Sequence, residues 1–304
     1  MKHKKFAFSL IELSVVILII GLLVLGITKG SRIIKSSKIS SARSLTTNSP
    51  VASIDNLVFW FEPTSSSSFK NQSGNFDIQD NDTVSSWVDI NPAYPSNNKI
   101  SSSQSTPANQ PKYVANGING LPTVRFDGVT TTQRLYTPGA ISNYSINMTI
   151  FVVFKFYSAP SSPFGTIVSI GGRLNGFEDG HYLYVTPSKT IGASFWNGVY
   201  DEGVIESSAN FLSPGKVYML MRTFDSSRNI SKFSVNGNYL TQSVATSTGI
   251  FTAGSGSGIA IGNHEVNVRM TGADISEIIV YDRPLKDSEI TAVQNYLKQK
   301  YSIK

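Results

Sequence analysis

The chain has 304 residues, 40% hydrophobic, 11% aromatic and only 15% charged. That length allows a small N-terminal module followed by one large domain, and Ser, Thr, Asn and Gly in place of charge suit a β-rich extracytoplasmic protein. There is no cysteine, which excludes disulfide staples and thiolate metal sites, while a domain this large buries enough core to fold without them.

The net charge of +6 is unevenly placed. Residues 1–50 carry eight basic side chains (Lys2, Lys4, Lys5, Lys29, Arg32, Lys35, Lys38 and Arg43) against Glu12 alone, and the remainder holds 18 basic and 19 acidic residues. The main domain is therefore near neutral, and no nucleic-acid partner is expected for it. The basic residues flank a hydrophobic segment, where cations favour anionic lipid headgroups.

The first predicted element runs from Phe6 to Thr28 and contains one charge, Glu12. As a helix it is long enough to span a hydrocarbon core of about 30 Å. A carboxylate inside such a helix costs about 2.5–3.5 kcal/mol. A secretory signal peptide has a shorter, uncharged core, and Gly26-Ile27-Thr28 is a poor cleavage site. A plain signal anchor accounts for the length and the basic head, but not for Glu12.

The order Lys4-Lys5-Phe6-Ala7, then Phe8-Ser9-Leu10-Ile11-Glu12-Leu13, accounts for every residue. It resembles the N-terminus of type IV prepilins and pseudopilins. The resemblance implies a leader, residues 1–7, that a prepilin peptidase cuts between Ala7 and Phe8. It also implies N-methylation of Phe8. Ala7 stands where the family usually has glycine. Glu12 would then pair with the Phe8 amine of a neighbouring pilin subunit, satisfying two charges within the membrane. The expected topology is a single inner-membrane pass with the N-terminus cytoplasmic. The C-terminal domain would be periplasmic, or extracellular on a filament.

Residues 8–45 are expected as the transmembrane helix and its extension. Lys29, Arg32, Lys35 and Lys38 recur every third residue and form a drifting stripe on it. Ser and Thr then accumulate up to Pro50, helix propensity falls, and 46–54 reads as a linker.

From residue 55 the pattern changes to period 2 with turn punctuation, as in Asn56-LVFWFEP, Asn147-MTIFVVFKFYS and Ala273-DISEIIVYD. Many short strands without helical spacers predict an antiparallel two-sheet sandwich over 55–304. Asn236-Gly237 marks a tight hairpin. One C-terminal helix is expected, with Ile290, Val293, Tyr296, Leu297 and Tyr301 on its apolar stripe and acids in its first turn.

Four stretches carry a second resemblance: Leu57-Val58-Phe59-Trp60-Phe61, Val84-Ser85-Ser86-Trp87-Val88-Asp89, Asn116 to Gly128, and Ile275 to Tyr301. They are similar to the bacterial laminin-G-like, concanavalin A-like jelly-roll family. That resemblance implies two curved sheets and binding of a glycan or surface protein more often than catalysis.

Hydrolases of this fold need paired carboxylates across the scissile bond. No Glu-x-Asp-x-(x)-Glu strand occurs. Asp274 and Glu277, three apart on a strand, should face opposite sides. Glu178-Asp179 and Asp201-Glu202 read as turn acids, and His181 and His264 as isolated histidines. The chain is therefore expected not to be an enzyme. No cofactor is expected; calcium is the one alternative, with Asp77, Asp80 and Asp82 clustered in one loop. Trp60 and Trp87 are assigned to the core. Trp196, Tyr200, Tyr182 and Tyr184 are the candidate sugar-stacking platform.

The functional expectation is a minor pilin or pseudopilin of a type IV pilus or type II secretion machine, displaying a lectin-like domain. The alternatives are an anchored periplasmic carbohydrate-binding protein that never polymerises and, behind it, a glycoside hydrolase.

Overall fold

The structure, a computed structural model, describes residues 10–130, 132–137, 146–161, 163–171, 180–196, 201–228, 230–240, 258–263 and 270–304. It is mainly β, with two antiparallel sheets and a helix at each end of the chain.

Helix α1 (Leu10–Thr47) is followed by a short 3-10 turn, Val51–Ser53. The strands follow in chain order: β1 (Leu57–Phe61), β2 (Phe69–Asn71), β3 (Val84–Val88), β4 (Ser101–Ser103), β5 (Lys112–Ile118), β6 (Leu121–Phe126), β7 (Leu135–Thr137), β8 (Met148–Ser158) and β9 (Gly165–Gly171). Next come β10 (Gly180–Val185), β11 (Ile191–Trp196), β12 (Asp201–Glu206), β13 (Val217–Asp225), β14 (Ile230–Val235), β15 (Asn238–Tyr239), β16 (Ile259–Ile261) and β17 (Gly272–Tyr281). Helix α2 (Asp287–Tyr301) closes the chain.

The first sheet runs β15-β14-β13-β8-β17-β6-β5, with β1 also paired to β17. The second runs β12-β11-β10-β9-β16-β7-β4-β3-β2. Apolar residues at alternate positions fill the space between them. Phe59, Phe61, Val124, Phe126, Val152, Phe154, Leu220 and Ile278 from the first sheet meet Trp87, Val168, Leu183, Ala193 and Ile261 from the second. Two turns demand positive φ, and sequence supplies it: Asn119-Gly120 (φ 51° and 75°) joins β5 to β6, and Asn236-Gly237 (φ 54° and 87°) joins β14 to β15.

A second apolar cluster lies on the outer face of the first sheet. There Trp60, Phe151, Val153, Met219, Met221 and Ile279 pack under Ile290, Val293, Tyr296, Leu297 and Tyr301 of α2, the stripe expected from sequence. Both Trp60 and Trp87 are buried as expected.

The end of α1 belongs to this cluster too. Ala42 and Val51 are buried in it. The Arg43 Nε donates to the Thr64 carbonyl at 2.6 Å, and Tyr281 donates its hydroxyl to the Val51 carbonyl at 2.9 Å. The segment expected as a linker, 46–54, thus begins as helix and stays packed against the domain. Its serines and threonines lower helix propensity locally, but docking outweighs that.

Among the described residues no helix is long and apolar enough to cross a membrane. The apolar side chains described from Leu10 to Leu25 are exposed. The transmembrane span expected over Phe6–Thr28 is therefore not shown. Ala7 and Phe8 lie outside the described residues, and Glu12 is exposed in the first turn of α1.

Alternation on β17 fails at one place. Its pairing with β8 shifts between Ile275 and Glu277. Asp274 bonds Arg125, and Glu277 bonds Trp60 and Tyr296, both on the outer face, while Ile275 and Ile278 point into the sandwich. The expectation that Asp274 and Glu277 face opposite sides is corrected: a β-bulge inserts one residue and returns both to one face.

Candidate functional site

Cross-strand pairs place residues in rows across the outer face of the second sheet. One row runs Ser194, Tyr182, Ser169, Ala260, Tyr136, Ser103, Ser86 and Lys70, one residue from each of β11, β10, β9, β16, β7, β4, β3 and β2. At ~4.8 Å per strand it spans about 34 Å. Small residues occupy most of it, and aromatic ones punctuate it.

Three of the four expected platform residues fall on this face. Tyr182 and Tyr184 alternate with the core residues Leu183 and Val185, and Trp196 alternates with Phe195, which points inward. Tyr200 lies outside the described residues. The two tyrosines are more closed than a stacking platform needs, at 6% and 7% exposed, whereas Trp196 is half-buried. Tyr184 is held on three sides. Its hydroxyl donates to Glu206 Oε1 at 2.6 Å, the Phe164 ring lies 5.3 Å away, and a Cβ on Gly192 would fall 2.6 Å from its Cζ. Only glycine at 192 leaves room for that ring.

Sequence reasoning missed Tyr136 and Arg134. Tyr136 is half-buried on the same row, and the Arg134 guanidinium lies 6.0 Å from its ring. The three-residue strand β7 is too short to show periodicity, which hid it. Aromatic faces, serine hydroxyls and two cations, Lys70 and Arg134, on one sheet face are the groups that hold a polar ligand with apolar surfaces.

His181 lies on the other side of β10, between the sheets. Its ring sits 4.9 Å from Phe195 and 5.5 Å from Phe224. Burial, with help from the Arg222 charge, pushes its pKa down to about 3. It is a neutral core histidine whose Nε2 meets the Ile146 carbonyl at 2.8 Å. His264 and the pair Glu178-Asp179 lie outside the described residues. Asp201 and Glu202 begin strand β12 rather than a turn.

The acids expected as calcium ligands are used locally. Asp80 Oδ1 accepts the Ala115 N–H at 2.7 Å, Asp82 Oδ2 accepts that of Gln79 at 2.8 Å, and Asp77 Oδ1 accepts the Gln79 amide at 2.8 Å. Among the described residues no three acidic or histidine side chains group so as to hold a metal ion.

A cavity of about 170 Å³ opens where α1 meets the sandwich, lined by Ile39, Arg43, Phe69, Phe76 and Tyr113 among others. It lies away from the platform.

Two stacked antiparallel sheets with a small-residue, aromatic outer face define a lectin-like sandwich. Residues 127–291 match the concanavalin A-like lectin/glucanases superfamily, and the chain belongs to that superfamily. Among curated proteins, none matches the sequence. Solved structures of similar fold include the Trypanosoma rangeli sialidase in complex with sialic acid, at 14% identity and a TM-score of 0.48, over 81% of this chain and 33% of that one. The same sialidase as a covalent intermediate with 2,3-difluorosialic acid gives 13% identity and 0.47, over 89% and 39%. The Ruminococcus gnavus IT-sialidase CBM40 bound to alpha2,3 sialyllactose gives 18% and 0.39, over 53% and 97%. The chain thus spans little more than a third of the sialidase chains, and at these identities the likeness is one of fold. The expectation that the chain is not an enzyme is corrected by this comparison: the similar chains are sialidases, so the expectation is withdrawn.

Proposed function

We propose that the protein is an exported, inner-membrane-anchored, pilin-like subunit whose sandwich domain binds a glycan or a surface protein. Its place would be as a minor pilin or pseudopilin of a type IV pilus or type II secretion machine. For binding, the supporting observation is membership in the lectin/glucanases superfamily, together with Trp196 and Tyr136 half-open on the outer face of the second sheet. For delivery, the support is Phe8-Ser9-Leu10-Ile11-Glu12-Leu13 behind a basic leader. The exposed apolar side chains along the start of α1 call for lipid or other subunits around them. A head as large as 55–304 packs poorly along a filament shaft, which favours a minor component.

Two experiments test the reading. Sheared filament fractions should contain the protein, and Glu12→Ala should remove it; incorporation unchanged by Glu12→Ala would overturn pilin-type assembly through Glu12, and retention in the membrane alone would leave a non-polymerising anchored binder. On a glycan array the full chain should show selective binding that Trp196→Ala weakens at least tenfold. No glycan signal, or one that Trp196→Ala leaves intact, overturns the platform.

A further inference from the structure

The outer face of the first sheet is only partly covered. Helix α2 and the end of α1 lie over Trp60, Phe151, Met219 and Ile279. Beyond them, one cross-strand row stays open: Lys112 on β5, Arg125 on β6, Asp274 on β17 and Lys155 on β8, each paired with the next. Leu121 and Thr123 share the face with Arg125, and Val124 and Phe126 point into the core. The row carries three cations and one carboxylate in a domain that is otherwise near neutral.

The carboxylate organises the row rather than cancelling it. Asp274 is fully buried and holds Arg125 in a two-point bond, Nε to Oδ1 at 2.6 Å and Nη2 to Oδ2 at 2.8 Å. Tyr157 donates its hydroxyl to the same Oδ2 at 2.8 Å and accepts from Arg125 Nη2 at 2.9 Å. Its ring lies 5.0 Å from the Arg125 guanidinium and 5.4 Å from the Lys155 ammonium. The guanidinium is thereby fixed in direction, with its Nη1 edge left over and its side chain 43% exposed. Lys112 is exposed and Lys155 half-buried, and among the described residues neither has an ion-pair partner.

We infer that this row is a second binding site, separate from the aromatic face of the other sheet, and that it takes an acidic polysaccharide bearing one carboxylate per sugar. The spacing carries the choice of ligand. Neighbouring strands are ~4.8 Å apart, so the cations spread along about 14 Å, which suits charges repeated along a chain rather than a single compact anion. A pre-oriented guanidinium matches a carboxylate in geometry as well as charge. Tyr157, with both cations over its ring, holds Arg125 and Lys155 side by side across the buried Asp274.

The full chain in detergent micelles is titrated with polygalacturonate, neutral dextran and polyglutamate. Polygalacturonate should bind, dextran should not, and polyglutamate should bind at least tenfold more weakly. The variant Lys112→Gln/Lys155→Gln should lose at least tenfold for polygalacturonate and show a shallower salt dependence. Trp196→Ala, on the other sheet, should leave this binding unchanged, which separates this site from the platform. Lys112→Gln alone, at an exposed position, keeps the test readable should the double variant fold poorly. Equal binding of dextran, full binding by the lysine variants, or polyglutamate binding as tightly as polygalacturonate would each overturn the assignment.

Discussion

The Lys300 Nζ lies 2.6 Å from Glu62 Oε1, although the two residues are 238 apart in sequence and both are buried. Glu277 joins them at 2.7 Å, and Lys300 also donates to Thr46 of α1 and to the Tyr296 hydroxyl, each at 2.9 Å. Glu277 accepts further from Trp60, Tyr296 and Tyr301, and Glu62 from Thr64 and Ser65. Burial alone would push the Glu62 pKa up; the Lys300 charge and the bonds from Lys300 and Thr64 outweigh it and hold it below the usual range. One ammonium thus ties α1, α2, β17 and the chain just after β1 together.

Removing that ammonium strands two carboxylates in the interior. Lys300→Met should cost about 3–5 kcal/mol in denaturant unfolding. Adding Glu62→Gln and Glu277→Gln should recover part of the loss, since the buried charges go with them. A loss below about 1 kcal/mol would mean that water reaches the carboxylates.

The pattern of α2 was legible in sequence, but Lys300 was not legible as its buried cation. Its neighbours in sequence mark a helix end, where lysine is ordinary, and its partners arrive from residues 62 and 277. The two-sheet sandwich was legible because period-2 runs and Asn-Gly turns are local signals. The bulge at Ile275–Glu277 was not, because it arises from pairing with β8. For the platform, Tyr182 and Tyr184 lie on the outer face beside Leu183 and Val185, while their closure depends on Phe164, Glu206 and Gly192, which no single strand reveals.

Arg283 and Glu289 predict an acid-side loss of stability. Two bonds join them, at 2.7 and 2.9 Å, and Glu289 Oε2 also accepts the Lys286 N–H at 2.8 Å. Chiefly through Arg283, the Glu289 pKa falls to about 2. A depressed carboxylate stabilises the fold above its unfolded pKa near 4.5, and that contribution is lost as pH falls towards 2. Glu289→Gln should therefore cost about 1–2 kcal/mol at pH 7, after solvent screening, and almost nothing at pH 2. A cost that does not change with pH would assign the effect to helix packing instead.

Asp89 predicts the opposite slope. Its Oδ1 accepts the N–H groups of Trp60 and Asn91 at 2.7 and 2.8 Å, but its Oδ2 is buried with no partner among the described residues. Burial raises its pKa to about 6 against those bonds. The folded state then holds the proton more tightly than the unfolded one, so stability declines as pH rises from about 4 to 6. Asp89→Asn keeps an oxygen for the two N–H groups and removes the titration. Across that window the wild type should lose about 2 kcal/mol relative to the variant. Parallel stability curves for the two proteins would show that Oδ2 is solvated.

Gly262 and Gly74 separate steric contact from backbone strain. Both have positive φ, 80° and 79°. A Cβ on Gly74 meets nothing within 4 Å among the described residues, whereas one on Gly262 would lie 2.1 Å from Cδ1 of Phe126. Gly262 directly follows β16, which pairs with β7 and β9 in the second sheet, and Phe126 is a core residue of the first. Gly74→Ala therefore bears only the dihedral penalty, about 1 kcal/mol. Gly262→Ala bears the same penalty and must also displace the Phe126 ring, adding about 1–3 kcal/mol of overpacking. Because Phe126 sits between the sheets, that displacement should spread to β16 and loosen the row containing Ala260 and Tyr136. Tyr136 fluorescence or hydrogen exchange on β16 should change in the Gly262 variant and not in the Gly74 variant. Equal stability losses in both would mean that the ring moves aside freely and that the two sheets are less tightly keyed at this point than their contact distances indicate.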